Sequence, residues 1–151
     1  FATGVSESLS KGMGAVRCVR DAAERKLIPT FTKSADGTYL TADQTKLVWM
    51  AATGKASSLA VASRTCAAQK SVNGAPWRLP TVRELMSIAY PPSATGWAPA
   101  FEGDTTLWTA TPAVTGGTVS AVWVVRNGQP GIVLTSDVAG GFAYRCVAGT
   151  L

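Results

Sequence analysis

Apolar and polar positions alternate with two different periods between residues 31 and 147, and the changes of period mark the elements. From residue 31 to residue 50 the pattern predicts two strands. The turn signal Ala35-Asp36-Gly37 separates them, and they end in the apolar run Leu47-Val48-Trp49-Met50. The period then lengthens. Leu59, Ala62 and Cys66 fall on one face at helical spacing, which predicts a helix capped by Ser57 or Ser58, running to about Lys70 and stopped by Asn73-Gly74. A second helix is expected after Trp77-Arg78-Leu79-Pro80. Thr81 and Glu84 form a capping box there, Val82, Leu85, Met86 and Ala89 face inward, and Pro91-Pro92 closes the helix. Residues 93–106 read as a loop containing Trp97 and Phe101. Beyond it residues 107–109, 121–125, 131–135 and 142–147 read as strands, with Asn127-Gly128 as a hairpin turn between the second and third. Two helices followed by an antiparallel meander predict an α+β domain.

One stretch of the chain occurs twice in outline. Residues 8–19 align with residues 136–147 without a gap, and Ser8, Gly12, Ala15, Arg17, Cys18 and Val19 coincide with Ser136, Gly140, Ala143, Arg145, Cys146 and Val147. The offset of 128 residues is about the size of one small domain. Residues 1–20 are therefore expected to be the closing strand of a preceding repeat or an assembly strand. Residues 21–28 then form a linker or short helix ended by Pro29, and residues 29–151 one complete domain.

Composition removes several classes of function. Apolar residues make up 46% and charged residues 15%, which excludes a disordered chain, and 15 Gly with 8 Pro predict many turns. No run approaches the roughly 18 apolar residues of a membrane span. The chain starts at Phe1 without a signal-peptide pattern, so it is expected to be a mature or trimmed piece of an exported protein. Histidine is absent, which removes Ser-His-Asp and Cys-His catalysis, the usual zinc sites and imidazole switching; no metal or cofactor is expected. The net charge is +5, but the basic residues are scattered, with no run longer than Arg25-Lys26, which argues against a nucleic-acid surface. A diffuse positive field suits acidic polymers such as sulfated glycans or anionic envelope components; solubility alone explains it equally well. Glu102 and Asp104 are close in the loop, yet calcium takes about six to eight oxygen ligands, so a solvated loop is the favoured reading.

The block Trp77-Arg78-Leu79-Pro80-Thr81 with Glu84 and Leu85 resembles the Lcl C-terminal domain family of bacterial surface and exported proteins. So do Asp43-x-Thr45-x-Leu47-x-Trp49, the Ala-rich helix with Cys66, Leu107-Trp108-Thr109, Ala121-x-Trp123-Val124-Val125 with Asn127-Gly128, and the closing Arg145-Cys146-Val147. These pieces cover nearly all of residues 31–148 in the expected order. The block and the ending are also similar to the formylglycine-generating, sulfatase-modifying enzymes. That similarity implies a C-type-lectin-like fold, with two helices and a twisted antiparallel sheet carrying long loops. It implies no activity, because those enzymes need a reactive cysteine pair and only Cys18, Cys66 and Cys146 occur here. Ala75-Pro76 before Trp77, and Lys46 where the family usually has glycine, depart from the pattern. Cys66 and Cys146 match positions paired in the family, so the resemblance implies a disulfide, with two reduced buried thiols as the alternative. Cys18 is then left free, bonded to another molecule, or stranded by trimming.

Within the structural motif formed by Trp77, Arg78, Leu79, Pro80, Thr81, Glu84 and Arg145, the two arginines suit either anion binding or hydrogen bonding to carbonyls and Glu84. The second is favoured. Trp49, Trp77, Trp108 and Trp123 read as core. The loop offers Trp97, Phe101, Glu102 and Asp104, together with Arg126, as candidate ligand contacts. The resulting expectation is a non-catalytic module, secreted or at the cell surface, that binds a glycan, an acidic polymer or a protein. The alternative is a structural subunit of a surface fibre that self-associates through residues 1–20. A formylglycine-generating enzyme is the least favoured reading.

Overall fold

The structure is a computed structural model and describes residues 30–89, 97–101, 106–115, 118–126, 129–134 and 141–150. In chain order its elements are β1 (Phe31–Lys33), β2 (Tyr39–Ala42), β3 (Val48–Met50), β4 (Gly54–Ala56), α1 (Leu59–Ala67), β5 (Trp77–Arg78), α2 (Val82–Met86), a 3₁₀ turn (Pro99–Phe101), β6 (Thr106–Thr115), β7 (Thr118–Arg126), β8 (Gln129–Leu134), β9 (Phe142–Tyr144) and β10 (Val147–Ala148). The strands form two sheets, ordered β1-β2-β3-β10-β5 and β4-β9-β6-β7-β8. The fold is α+β and C-type-lectin-like.

The region up to Met50 contains three strands, not the two expected. Turn chemistry is the cause. Asp43, Gln44 and Thr45 interrupt the apolar run, Lys46 takes a φ of 61°, and its N–H bonds the Ala42 carbonyl at 2.8 Å. The chain thereby reverses, and Leu40 pairs with Trp49 across the β2–β3 ladder.

The first helix starts where its cap predicts, the Ser58 hydroxyl accepting from the Val61 N–H at 3.3 Å, but it ends at Ala67, short of Lys70. Ala62 and Cys66 are buried on its inner face. In the second, the capping box of Thr81 and Glu84 is complete, yet the helix stops at Met86. The Ser87 hydroxyl bonds the Glu84 carbonyl at 2.6 Å, and the Ile88 carbonyl accepts the Ala98 N–H at 2.9 Å. The chain turns away there. Met86, expected inside, is exposed; Ile88 is buried in its stead, and Ala89 bridges to Trp97. Pro91-Pro92, Asn127-Gly128 and residues 1–29 lie outside the described residues.

The expected final strand is split in two. β9 pairs antiparallel with β4 and parallel with β6 in one sheet, whereas β10 lies between β3 and β5 in the other. Residues 142–148 are thus an inner strand of both sheets. Alternation along them feeds two cores. Val147 joins Leu40, Leu47, Trp49, Leu85, Ile88, Trp97, Phe101, Leu107 and Val125 in the first. Cys146 and Ala148 join Val48, Ala62, Cys66, Trp77, Leu79, Trp108, Val122 and Val124 in the second.

Candidate functional site

The recognisable motifs converge where β10 meets β5, with Val147 opposite Arg78 and Ala148 opposite Trp77. Arg78 grips Glu84 with both guanidinium nitrogens, Nη1 to Oε2 at 2.9 Å and Nη2 to Oε1 at 2.6 Å. Its Nη2 also donates to the Gly149 carbonyl at 2.7 Å, and Nη1 to that of Leu79 at 3.1 Å. Glu84 Oε2 in turn accepts from the Thr81 N–H at 2.7 Å and the Thr81 hydroxyl at 3.0 Å. One buried carboxylate therefore ties α2 to β5 and, through Arg78, to the end of the closing strand. Burial pushes the Glu84 carboxyl up, but the Arg78 guanidinium and the Thr81 donors outweigh it and hold the group below its ordinary value. The Arg78 guanidinium is held above its ordinary value by the hydrogen bonds to Glu84.

Arg145 is buried at the corner between β9 and β10. Its Nη1 reaches the carbonyls of Met50 at 2.5 Å and Ala51 at 2.6 Å, and its guanidinium carbon lies 4.6 Å from the Phe101 ring centroid. Both motif arginines thus bond groups of the domain itself, which is the geometry of a clasp. Beside them Cys66 and Cys146 form a disulfide with Cα atoms 5.5 Å apart. Cys18 lies outside the described residues.

The loop aromatics need correction as ligand contacts. Trp97 is fully buried and Phe101 is 1% exposed, so neither offers a surface. Phe101 packs edge-on against Phe31 at 4.8 Å and Trp49 at 6.0 Å beneath Arg145. The Ala98–Ile88 hydrogen bond and the Trp97–Ala89 bridge draw this part of the loop onto the exit of α2. Glu102 and Asp104 lie outside the described residues. Arg126 is exposed at the end of β7, its Nε donating to the Thr106 hydroxyl at 3.2 Å. Among the described residues no group of His, Cys, Asp or Glu could hold a metal ion, and no helix is long and apolar enough to cross a membrane.

A charge pattern missed in the sequence emerges once the internal arginines are set aside. Between Asp43 and Glu84 the chain carries Lys46, Lys55, Arg64, Lys70, Arg78 and Arg83 and no carboxylate. Arg78 is engaged by Glu84; the other five are exposed. Across all described residues, seven exposed cations stand against two exposed carboxylates, Asp36 and Asp43. The detectable signal was the spacing of the acids. The cations alone are too far apart to register as a run.

At the start of α1 lies a cleft of about 460 Å³ lined by Ser58, Leu59, Ala60, Ser63 and Trp108. Its lining is mainly apolar and includes two serines, and the Arg64 Nε bonds the carbonyl of the lining residue Ala60 at 3.3 Å. Lys55 precedes it in β4.

No curated protein and no solved structure matches the chain. The Lcl C-terminal domain matches residues 38–148, a span containing the Trp77–Glu84 block, both disulfide cysteines and the Arg145 corner. The chain belongs to the Lcl C-terminal domain family, whose members are non-catalytic modules of bacterial surface and exported proteins.

Proposed function

We propose that this domain is an adhesive recognition module at the exterior of the bacterial envelope, and that it binds an acidic polymer, with sulfated glycan as the closest chemical type. The observation that carries the reading is the stretch from residue 44 to residue 83, which bears six cations and no carboxylate, five of the cations exposed. A polymer of closely spaced sulfates or carboxylates gains from many weak, screened contacts. It needs no deep pocket, and a diffuse one-signed surface is what such recognition uses. The apolar cleft beside Arg64 adds a place for a sugar face to lie against Leu59.

Chromatography on immobilised heparin tests this. The full chain is expected to be retained at low salt and released as the salt rises, since at 1 M the screening length falls to about 3 Å. Replacing Lys55→Glu, Arg64→Glu and Lys70→Glu together should abolish retention while leaving the thermal transition in place. Retention that persists at 1 M salt, or that the triple variant keeps, would sink the reading.

A further inference from the structure

The cleft at the start of α1 sets an apolar cavity beside an anchored cation. Its volume of about 460 Å³ lies within the range of small-ligand sites, which combine apolar walls with a few polar groups. Trp108 lines it while only 1% exposed, which puts the indole at the bottom. The Trp108 Nε1 donates to the Ala56 carbonyl at 3.3 Å, and the Phe142 ring packs against it with centroids 5.0 Å apart. The indole N–H is therefore already engaged, and the ring is held in place before any ligand arrives. What it presents is apolar surface, continued by Leu59 and Ala60.

Polar chemistry comes from α1. Ser58 accepts the Val61 N–H, so its hydroxyl hydrogen remains available to donate, and Ser63 stands one turn beyond Leu59. Arg64 is tied to the lining through the bond from its Nε to the Ala60 carbonyl, while its terminal guanidinium nitrogens bond no described residue. The flanking acids along the chain are Asp43 and Glu84, and Glu84 is bound by Arg78. An anion beside Arg64 thus meets no carboxylate from residues 44–83. A ligand fitted to this place carries an acidic group next to a compact apolar one. Along an acidic glycan that apolar group is the methyl of an N-acetylated hexosamine, since hydroxyls, carboxylates and sulfates are all polar. An N-sulfo group at the same sugar position would set a charge against Trp108 and Leu59, which is unfavourable unless the charge is paired there.

We propose that the cleft is a subsite for the N-acetyl group of a hexosamine in an acidic glycan, so that the domain reads N-acetylation as well as charge. The methyl lies against Trp108 and Leu59, the amide bonds a serine hydroxyl, and Arg64 pairs with the neighbouring sulfate or carboxylate. This selectivity rests on the domain binding an acidic polymer, and charge alone does not give it.

Heparin and the same heparin after N-desulfation and N-acetylation separate the two contributions, because both keep their O-sulfates. Dissociation constants for each polymer are measured with the full chain and with Ser63→Trp, which fills the cleft from an exposed helix position. Burying one methyl corresponds to about a fourfold change in affinity, so Ser63→Trp should weaken binding of the N-acetylated polymer about fourfold or more. Binding of the N-sulfated polymer, carried by the exposed cations, should change less than about twofold. If Ser63→Trp lowers the melting temperature, Ala60→Leu fills the cleft from another exposed helix position, with the same pattern expected. Equal losses for the two polymers, no loss for either, or a larger loss for the N-sulfated one would overturn the subsite and leave the acidic-polymer reading standing. So would binding of the N-sulfated polymer alone by the unmodified chain. Failure of the unmodified chain to bind either polymer would overturn both.

Discussion

Lys46 shows how a single residue can carry a measurable conformational cost. It holds a φ of 61° in the β2–β3 turn, where a side chain costs roughly 1–2 kcal/mol relative to the right-handed region. A glycine there would avoid that strain but would lose more conformational freedom on folding, about 0.5–1 kcal/mol. The first term is the larger. Lys46 is exposed and its backbone N–H bond to Ala42 survives substitution, so no packing is lost. Lys46→Gly is expected to raise stability by about 0.5 kcal/mol, measured as a shift in the urea midpoint at unchanged m-value. A lower midpoint would mean that the turn is not strained. At this same scale the sequence was least informative about aromatics. Gly96 and Pro99 flank Trp97 as in any loop, and nothing local says that Arg145, far along the chain, will lie over Phe101 and close the core above it.

Elements were legible in proportion to how locally they are determined. The Thr81–Glu84 capping box and the Ser58 cap are set by residues three apart, and both appear as read. β4 and β5, of three and two residues, were not foreseen, because strands that short leave no period and exist only through the partners that pair with them. The end of α2 was misplaced because it is fixed by Ser87 and by the Ala98–Ile88 hydrogen bond instead of by the prolines. The capping box also makes a pH prediction. The Glu84 carboxyl lies below its ordinary value of 4.5 in the folded domain. A depressed carboxylate stabilises the fold above the unfolded value, and that stability is lost as the pH falls through the folded one. The melting temperature should therefore drop as the pH goes below about 4.5. Glu84→Gln should be less stable at neutral pH by at least ~1 kcal/mol, since Arg78 and the Thr81 donors lose their charged partner. Its acid slope should be correspondingly shallower. Parallel slopes for the two proteins would show that Glu84 is not the group responsible.

At the scale of the whole molecule, the closing strand unites what would otherwise be two sheets with separate interests. Residues 142–144 pair within the sheet of β4 and β6, residues 147–148 within the sheet of β3 and β5, and the Arg145–Cys146 corner between them is fixed to Met50, Ala51 and Cys66. Alternate residues of this one segment enter both cores, so neither can loosen without releasing a strand from the other. The disulfide closes a loop of 80 residues, for which the chain-entropy model gives about 4.5 kcal/mol of stabilisation. For a domain of this length each kcal/mol is worth roughly 3–4 °C, so reduction should lower the melting temperature by about 10–20 °C. What distinguishes a seam from a local brace is cooperativity. With the bond reduced, Trp49 in the first core and Trp108 in the second should still lose their native environment in one transition, because Val147 and Ala148 bind the two cores through a continuous backbone. In the reduced protein with all its tryptophans, the indole N–H signals of Trp49 and Trp108, followed by NMR during heating, should be lost at one midpoint. Two separated midpoints would show that the clasp, not the strand, couples the sheets.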